Sequence, residues 1–98
     1  MGYIYEIKNK INNKIYIGQT IKSPSQTKNY LGSGKYIKRA LEEYGRENFT
    51  KRVIEEWDTK EQLNEREMFW IDALNTKEPY GYNVMNGGGS SAPVAEGY

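Results

Sequence analysis

Two short runs of alternating apolar and polar positions open the chain. Tyr3, Tyr5 and Ile7 share one side of an extended segment, and Ile15 and Ile17 share one side of the next, with Tyr16 opposite. Asn12-Asn13 between them supplies turn chemistry, so the pattern predicts a β-hairpin. From Thr20 to Gly34 the composition changes to lysine, serine, proline, glutamine, asparagine and glycine, which predicts a loop with a helical turn after Pro24. Ile37, Leu41 and Tyr44 then recur at helical spacing and predict a helix over Lys35–Tyr44, with Ser33 as its cap and Gly45 as its stop. Lys35, Lys38 and Arg39 fall away from that apolar stripe.

"FTKRVIEEW" alternates again and predicts a third strand. "DTKEQ" offers Asp58 or Thr59 as a helix cap, with Glu61 or Gln62 reaching back, and the helix runs to about Leu74. "GYNV" predicts a short last strand or extended segment. Beyond Asn86, "GGGSSAPVAEGY" has the composition of a linker or disordered tail. The expected organisation is one α+β domain over residues 1–86 and a flexible segment over 87–98.

The second helix contains a residue that breaks its pattern. Leu63, Trp70, Ile71 and Leu74 define the stripe expected to be buried, and Glu67 lies inside it, four residues after Leu63. A carboxylate there must be paired, hydrated in a cleft or bound to a metal, because an unpaired buried charge is too costly. A salt bridge to a nearby lysine or arginine and a metal site both satisfy that requirement. Asn83 poses a similar choice between turn hydrogen bonds and the orientation of a water or catalytic side chain.

Composition narrows the chemistry. The 98 residues include no histidine and no cysteine, which removes disulfides, thiolates, most zinc sites and a histidine base. Catalysis would have to use carboxylates, tyrosine, lysine, arginine or a hard, oxygen-bound metal. Nine tyrosines against two phenylalanines fit both core filling and a half-wet binding surface. Net charge is only +1, yet from Lys8 to Arg39 the chain carries lysines and an arginine without an acid. That asymmetry is what a phosphate-binding surface requires, although a solvated charged face gives the same pattern. No apolar run approaches the ~20 residues of a membrane span, and an intracellular location is the default.

Tyr5, "YIG" at 16–18, "ERE" leading into "FWI", and the closing "GYN" together resemble the GIY-YIG nuclease superfamily, most of all its phage-type and intron-type homing endonucleases. The resemblance spans about residues 3–86. It implies a small three-stranded antiparallel sheet flanked by helices, and hydrolysis of DNA phosphodiester bonds with Mg2+ (or Mn2+). By position it makes Tyr5 and Tyr16 the motif tyrosines, Gly18 the residue whose lack of a side chain keeps the site open, Glu67 the metal ligand and Asn83 the late site residue. Either phenol is then a candidate base. Tyr3 replaces the glycine of the first motif, and the family's arginine has no counterpart in "SPSQTK", where Lys28 is the nearest cation. Lys35, Lys38 and Arg39 are the expected DNA contacts. A GIY-YIG-like nucleic-acid-binding module that has lost catalysis, and a structural domain whose Glu67 is only salt-bridged, remain the alternatives.

Overall fold

A computed structural model describes residues 2–22, 27, 29–32 and 34–84. Lys28, Ser33, the segment around Pro24 and residues 87–98 lie outside the described residues. The chain runs β1 (Gly2–Asn9), β2 (Ile15–Thr20), α1 (Lys35–Tyr44), a single 3-10 turn over Arg46–Asn48, β3 (Phe49–Trp57) and α2 (Lys60–Leu74). The strands form one antiparallel sheet in the order β2-β1-β3. This is the α+β architecture that the resemblance implies, with the strands and helices where the pattern puts them.

The hairpin forms where the asparagines stand. Asn13 takes the left-handed conformation at φ 67°, which asparagine tolerates better than most residues. Asn9 Oδ1 accepts from the Ile11 N–H at 2.8 Å, and Asn12 Oδ1 from the Lys14 N–H at 2.9 Å. The turn sets the register that pairs Tyr5 with Gly18 and Ile7 with Tyr16.

Alternation then gives the sheet two apolar faces. Tyr3, Tyr5 and Ile7 pack with Ile37 and Ala40 of α1, together with Phe49 and Tyr82, while Tyr16, Leu41 and Tyr44 border this cluster. Ile4 and Ile17 pack on the opposite face against Leu63 and Ile71 of α2. Gly45 closes α1, its N–H donating to the Leu41 carbonyl, but the N-cap position is Gly34 rather than a side-chain cap. α2 opens on the expected capping box, Thr59 with Gln62. Leu74 differs from expectation: it is exposed as the last residue of α2.

β3 does not alternate strictly. Tyr5 pairs with Val53 but Ile4 pairs with Glu55, so one extra residue, Ile54, interrupts the ladder as a β-bulge. The bulge exchanges the faces of everything beyond it. Phe49 and Lys51 lie with the tyrosines, whereas Glu55 and Trp57 reach the α2 side. There Glu55 accepts a bidentate pair from Arg66 at 2.8 and 2.7 Å, and a third bond from the Trp57 indole at 2.7 Å. The Arg66 bond, assisted by that from Trp57, holds the Glu55 carboxyl down at about 2.

After α2 the chain turns back along β2. "GYNV" forms a single bridge between Lys77 and Asn83 rather than a strand. Its Tyr82 N–H donates to the Ile15 carbonyl at 2.9 Å, which covers the outer edge of β2. Gly81 allows the approach, since a Cβ there would stand 2.6 Å from the Ile15 oxygen.

Candidate active site

The tyrosines reach the edge of β2 because Gly18 has no side chain. Tyr5 and Gly18 are cross-strand partners on the same face, and the Tyr5 ring leans over the glycine. A Cβ on Gly18 would overlap Tyr5 Cζ and Oη and lie 2.8 Å from Cε1. Tyr16 stands beside it, ring centroids 6.2 Å apart, with its own ring against Gly32 and Gly34. Tyr3 and Tyr30 complete the cluster, 5.8 and 6.1 Å from the Tyr5 ring.

The two motif tyrosines sit in different environments. Tyr5 is 1% exposed and Tyr16 is half-buried. Burial pushes the Tyr5 phenol far above its ordinary value, and the neighbouring Tyr16 and Tyr30 phenols and the Glu67 carboxylate push it the same way. Tyr5 is therefore a hydrogen-bond donor at neutral pH.

Glu67 arrives from the other face of the sheet. α2 buries it to 5% exposure between Leu63 and Ile71, one helical turn from each. Its Oε1 accepts from Gln19 Nε2 at 2.6 Å. The same amide nitrogen donates to Asn64 Oδ1 at 2.8 Å, and Gln19 Oε1 accepts from Lys60 at 2.7 Å. Gln19 escaped the sequence reading; its only signal was its place two residues beyond Ile17, on the α2 side of the edge strand. Glu67 is close enough to Tyr5 for its charge to act on the phenol. The carboxylate lies on the α2 face of the sheet and the tyrosines on the α1 face.

Gln19 also lines a cleft of about 400 Å³ with Thr20, Lys22, Thr27 and Tyr30. Beside it stand one buried carboxylate, Glu67, whose Oε1 accepts the Gln19 amide N–H, and the amide oxygens of Gln19 and Asn64. Among the described residues no group of three or more acidic, histidine or cysteine side chains gathers at one point. A small hard cation that keeps most of its waters and takes one carboxylate fits this set; zinc does not.

Asn83 is buried and spends its amide on the backbone of β2. Oδ1 accepts from the Ile17 N–H at 2.9 Å and from Thr76 Oγ1 at 2.7 Å, and Nδ2 donates to the Ile17 carbonyl at 2.9 Å. Ile17 lies between Tyr16 and Gly18, so Asn83 fixes the strand that carries both. Glu65 is exposed, as its spacing from Glu67 requires. Lys35, Lys38 and Arg39 are exposed on α1, away from the Glu67–Gln19 contact. Among the described residues no helix is long and apolar enough to cross a membrane.

A three-stranded antiparallel sheet between two helices, with a cluster of tyrosines on one face and a buried carboxylate on the helix packed against the other, defines a small α+β domain. Residues 1–83 match the GIY-YIG catalytic domain, and the chain belongs to that family. It is 44% identical over 86 residues to the segB protein of Enterobacteria phage T4, covering 88% of this chain and 38% of that protein. It is 38% identical over 89 residues to endonuclease segA of the same phage, covering 89% of this chain and 39% of the relative. The chain thus spans less than half the length of these relatives. Its fold is similar to the catalytic domain of homing endonuclease I-TevI, with TM-score 0.69 and 31% identity over 87% of this chain and 99% of that one. A form of that domain with a glutamate replaced by alanine gives TM-score 0.71 at 30% identity, over 88% of this chain and 96% of that one.

Proposed function

We propose that this domain is a divalent-metal-dependent DNA endonuclease, the catalytic part of a phage or homing-type nuclease. The observation that carries this reading is Glu67: a carboxylate kept in the apolar stripe of α2 and oriented by Gln19 of the edge strand that also carries Tyr16 and Gly18. A structural role alone leaves that burial cost without a purpose. Glu67 would hold Mg2+ (or Mn2+). When bound, the ion would supply Lewis acidity to the phosphate and the leaving oxygen.

The side chains divide the remaining work. Tyr16, half-exposed, is the base: its phenolate oxygen takes the proton of the attacking water as that water's oxygen bonds to phosphorus and the bond to the leaving oxygen breaks. Tyr5, buried and protonated, orients the site as a hydrogen-bond donor. Gly18 leaves room for the Tyr5 ring beside Tyr16, and Asn83 fixes the strand of Tyr16 and Gly18 through Ile17. Lys28 is assigned the positive charge on the non-bridging oxygens that the family's arginine would bring, and Lys35, Lys38 and Arg39 the phosphate contacts of duplex DNA. Residues 87–98 are assigned to a linker.

The test is nicking of supercoiled plasmid by the domain in single-turnover conditions. Open-circular product is expected with Mg2+ or Mn2+ and none with chelator. Salt-sensitive DNA binding without nicking in either metal would identify a binding module instead.

A further inference from the structure

The bulge at Ile54 leaves Lys51 on the tyrosine face, where an apolar residue would be ordinary. Its ammonium has three N–H donors and three oxygen partners. It donates to Tyr3 Oη at 3.1 Å, the Thr27 carbonyl at 2.6 Å and the Tyr30 carbonyl at 2.8 Å. The same nitrogen lies 4.7 Å from the Tyr5 ring centroid, 5.4 Å from that of Tyr3 and 5.8 Å from that of Tyr30. Two of its three bonds therefore go to backbone in the connection between β2 and α1. The third goes to a phenol that itself bonds Thr27 Oγ1. Thr27 and Tyr30 are also walls of the cleft that Gln19 lines.

We propose that Lys51 is a positioning residue for the candidate site: a latch that holds Thr27 and Tyr30 against Tyr3 and Tyr5 and so shapes the cleft lined by Gln19, the partner of Glu67. This rests on the nuclease reading for its purpose but not for its mechanics. The latch needs a compact donor rather than just a positive charge. A guanidinium presents its donors in a planar fork and does not converge them on three oxygens around one point. Methionine keeps much of the stem and loses both charge and donors. With all three N–H groups engaged, Lys51 acts through the wall it holds and not by touching substrate.

Hydrogen exchange reads the latch without reference to cleavage. The Tyr30 amide donates to the Thr27 carbonyl, the same oxygen that Lys51 holds. In Lys51→Met the Tyr30 amide should exchange at least tenfold faster than in the parent, while the amides of Ile71 and Ile17 keep their protection. The single-turnover nicking rate should fall by at least tenfold with DNA affinity changed less than twofold, and Lys51→Arg should recover only part of either property. Unchanged exchange at Tyr30 overturns the latch, as does a parental nicking rate with the wall released. If the parent nicks nothing but exchange responds as stated, the latch stands and the nuclease reading fails. Should Lys51→Met not fold, the same two measurements on Lys51→Arg decide, with parental exchange overturning the proposal.

Discussion

Asn83→Ala separates a strand clamp from a catalytic side chain, because the two roles predict opposite readouts. Alanine removes one acceptor from the Ile17 N–H, one donor from the Ile17 carbonyl and the partner of Thr76 Oγ1. Ile17 is fully buried and Asn83 is 6% exposed, so the freed backbone groups do not simply pass to solvent. Three hydrogen bonds are lost, at roughly 1 kcal/mol each. The loss is about 3 kcal/mol, against a total of ~5–15 kcal/mol for a domain. At roughly 4–8 °C per kcal/mol for a chain of this size, the thermal midpoint should fall by about 12–24 °C. The assay is far-UV circular dichroism melting beside single-turnover nicking at a temperature where both proteins are folded. Asn83→Asp should also destabilise, since its second oxygen meets the Ile17 carbonyl in place of an N–H. A midpoint shift under ~4 °C with cleavage lost would refute the clamp and place Asn83 on the substrate.

Three further outcomes follow from the geometry. Gly18→Ala forces a methyl group into the Tyr5 ring and should destabilise by ~1–3 kcal/mol and abolish nicking; a stable, active variant would mean Tyr5 has room to move without consequence. Glu55 titrates at about 2 when folded against an ordinary 4.5, so its contribution is present above 4.5 and is lost as pH falls toward 2. Urea midpoints from pH 6 to 2 should therefore decline less steeply in Glu55→Gln than in the parent, and parallel curves would show that the Arg66 pair is not the cause. Neutralising Lys38 and Arg39 should reduce the log–log salt dependence of duplex binding by about 0.9 per lost contact; an unchanged slope puts the DNA on another face.

Local signals carried most of the fold into the sequence. Two helix ends were legible because they are local chemistry, Gly45 closing α1 and Thr59 with Gln62 opening α2, whereas α1 starts from Gly34 with no side-chain cap. The hairpin was legible for the same reason. The bulge at Ile54 was not, since "FTKRVIEEW" alternates without a mark and the extra residue is defined only by its pairing with β1. That one missing fact concealed Lys51, which strict alternation groups with Glu55 and Trp57, and it concealed the Glu55–Arg66 pair. Glu67 announced itself by interrupting an apolar stripe, a conflict that sequence shows well. Its partner Gln19 did not, because a glutamine on an edge strand breaks no rule. Asn83 left two readings open until its amide was seen on Ile17.

The most direct test of the central claim is the Mg2+ dependence of single-turnover plasmid nicking in Glu67→Ala, with the exposed Glu65→Ala as control. Loss of metal-ligand chemistry corresponds to several kcal/mol of barrier, so the Glu67→Ala rate should fall by at least ~10²-fold with the fold intact by circular dichroism. Glu65→Ala should keep most of the parental rate. Nicking by Glu67→Ala at the parental rate, with the parental Mg2+ requirement, would contradict the assignment of Glu67 to the metal.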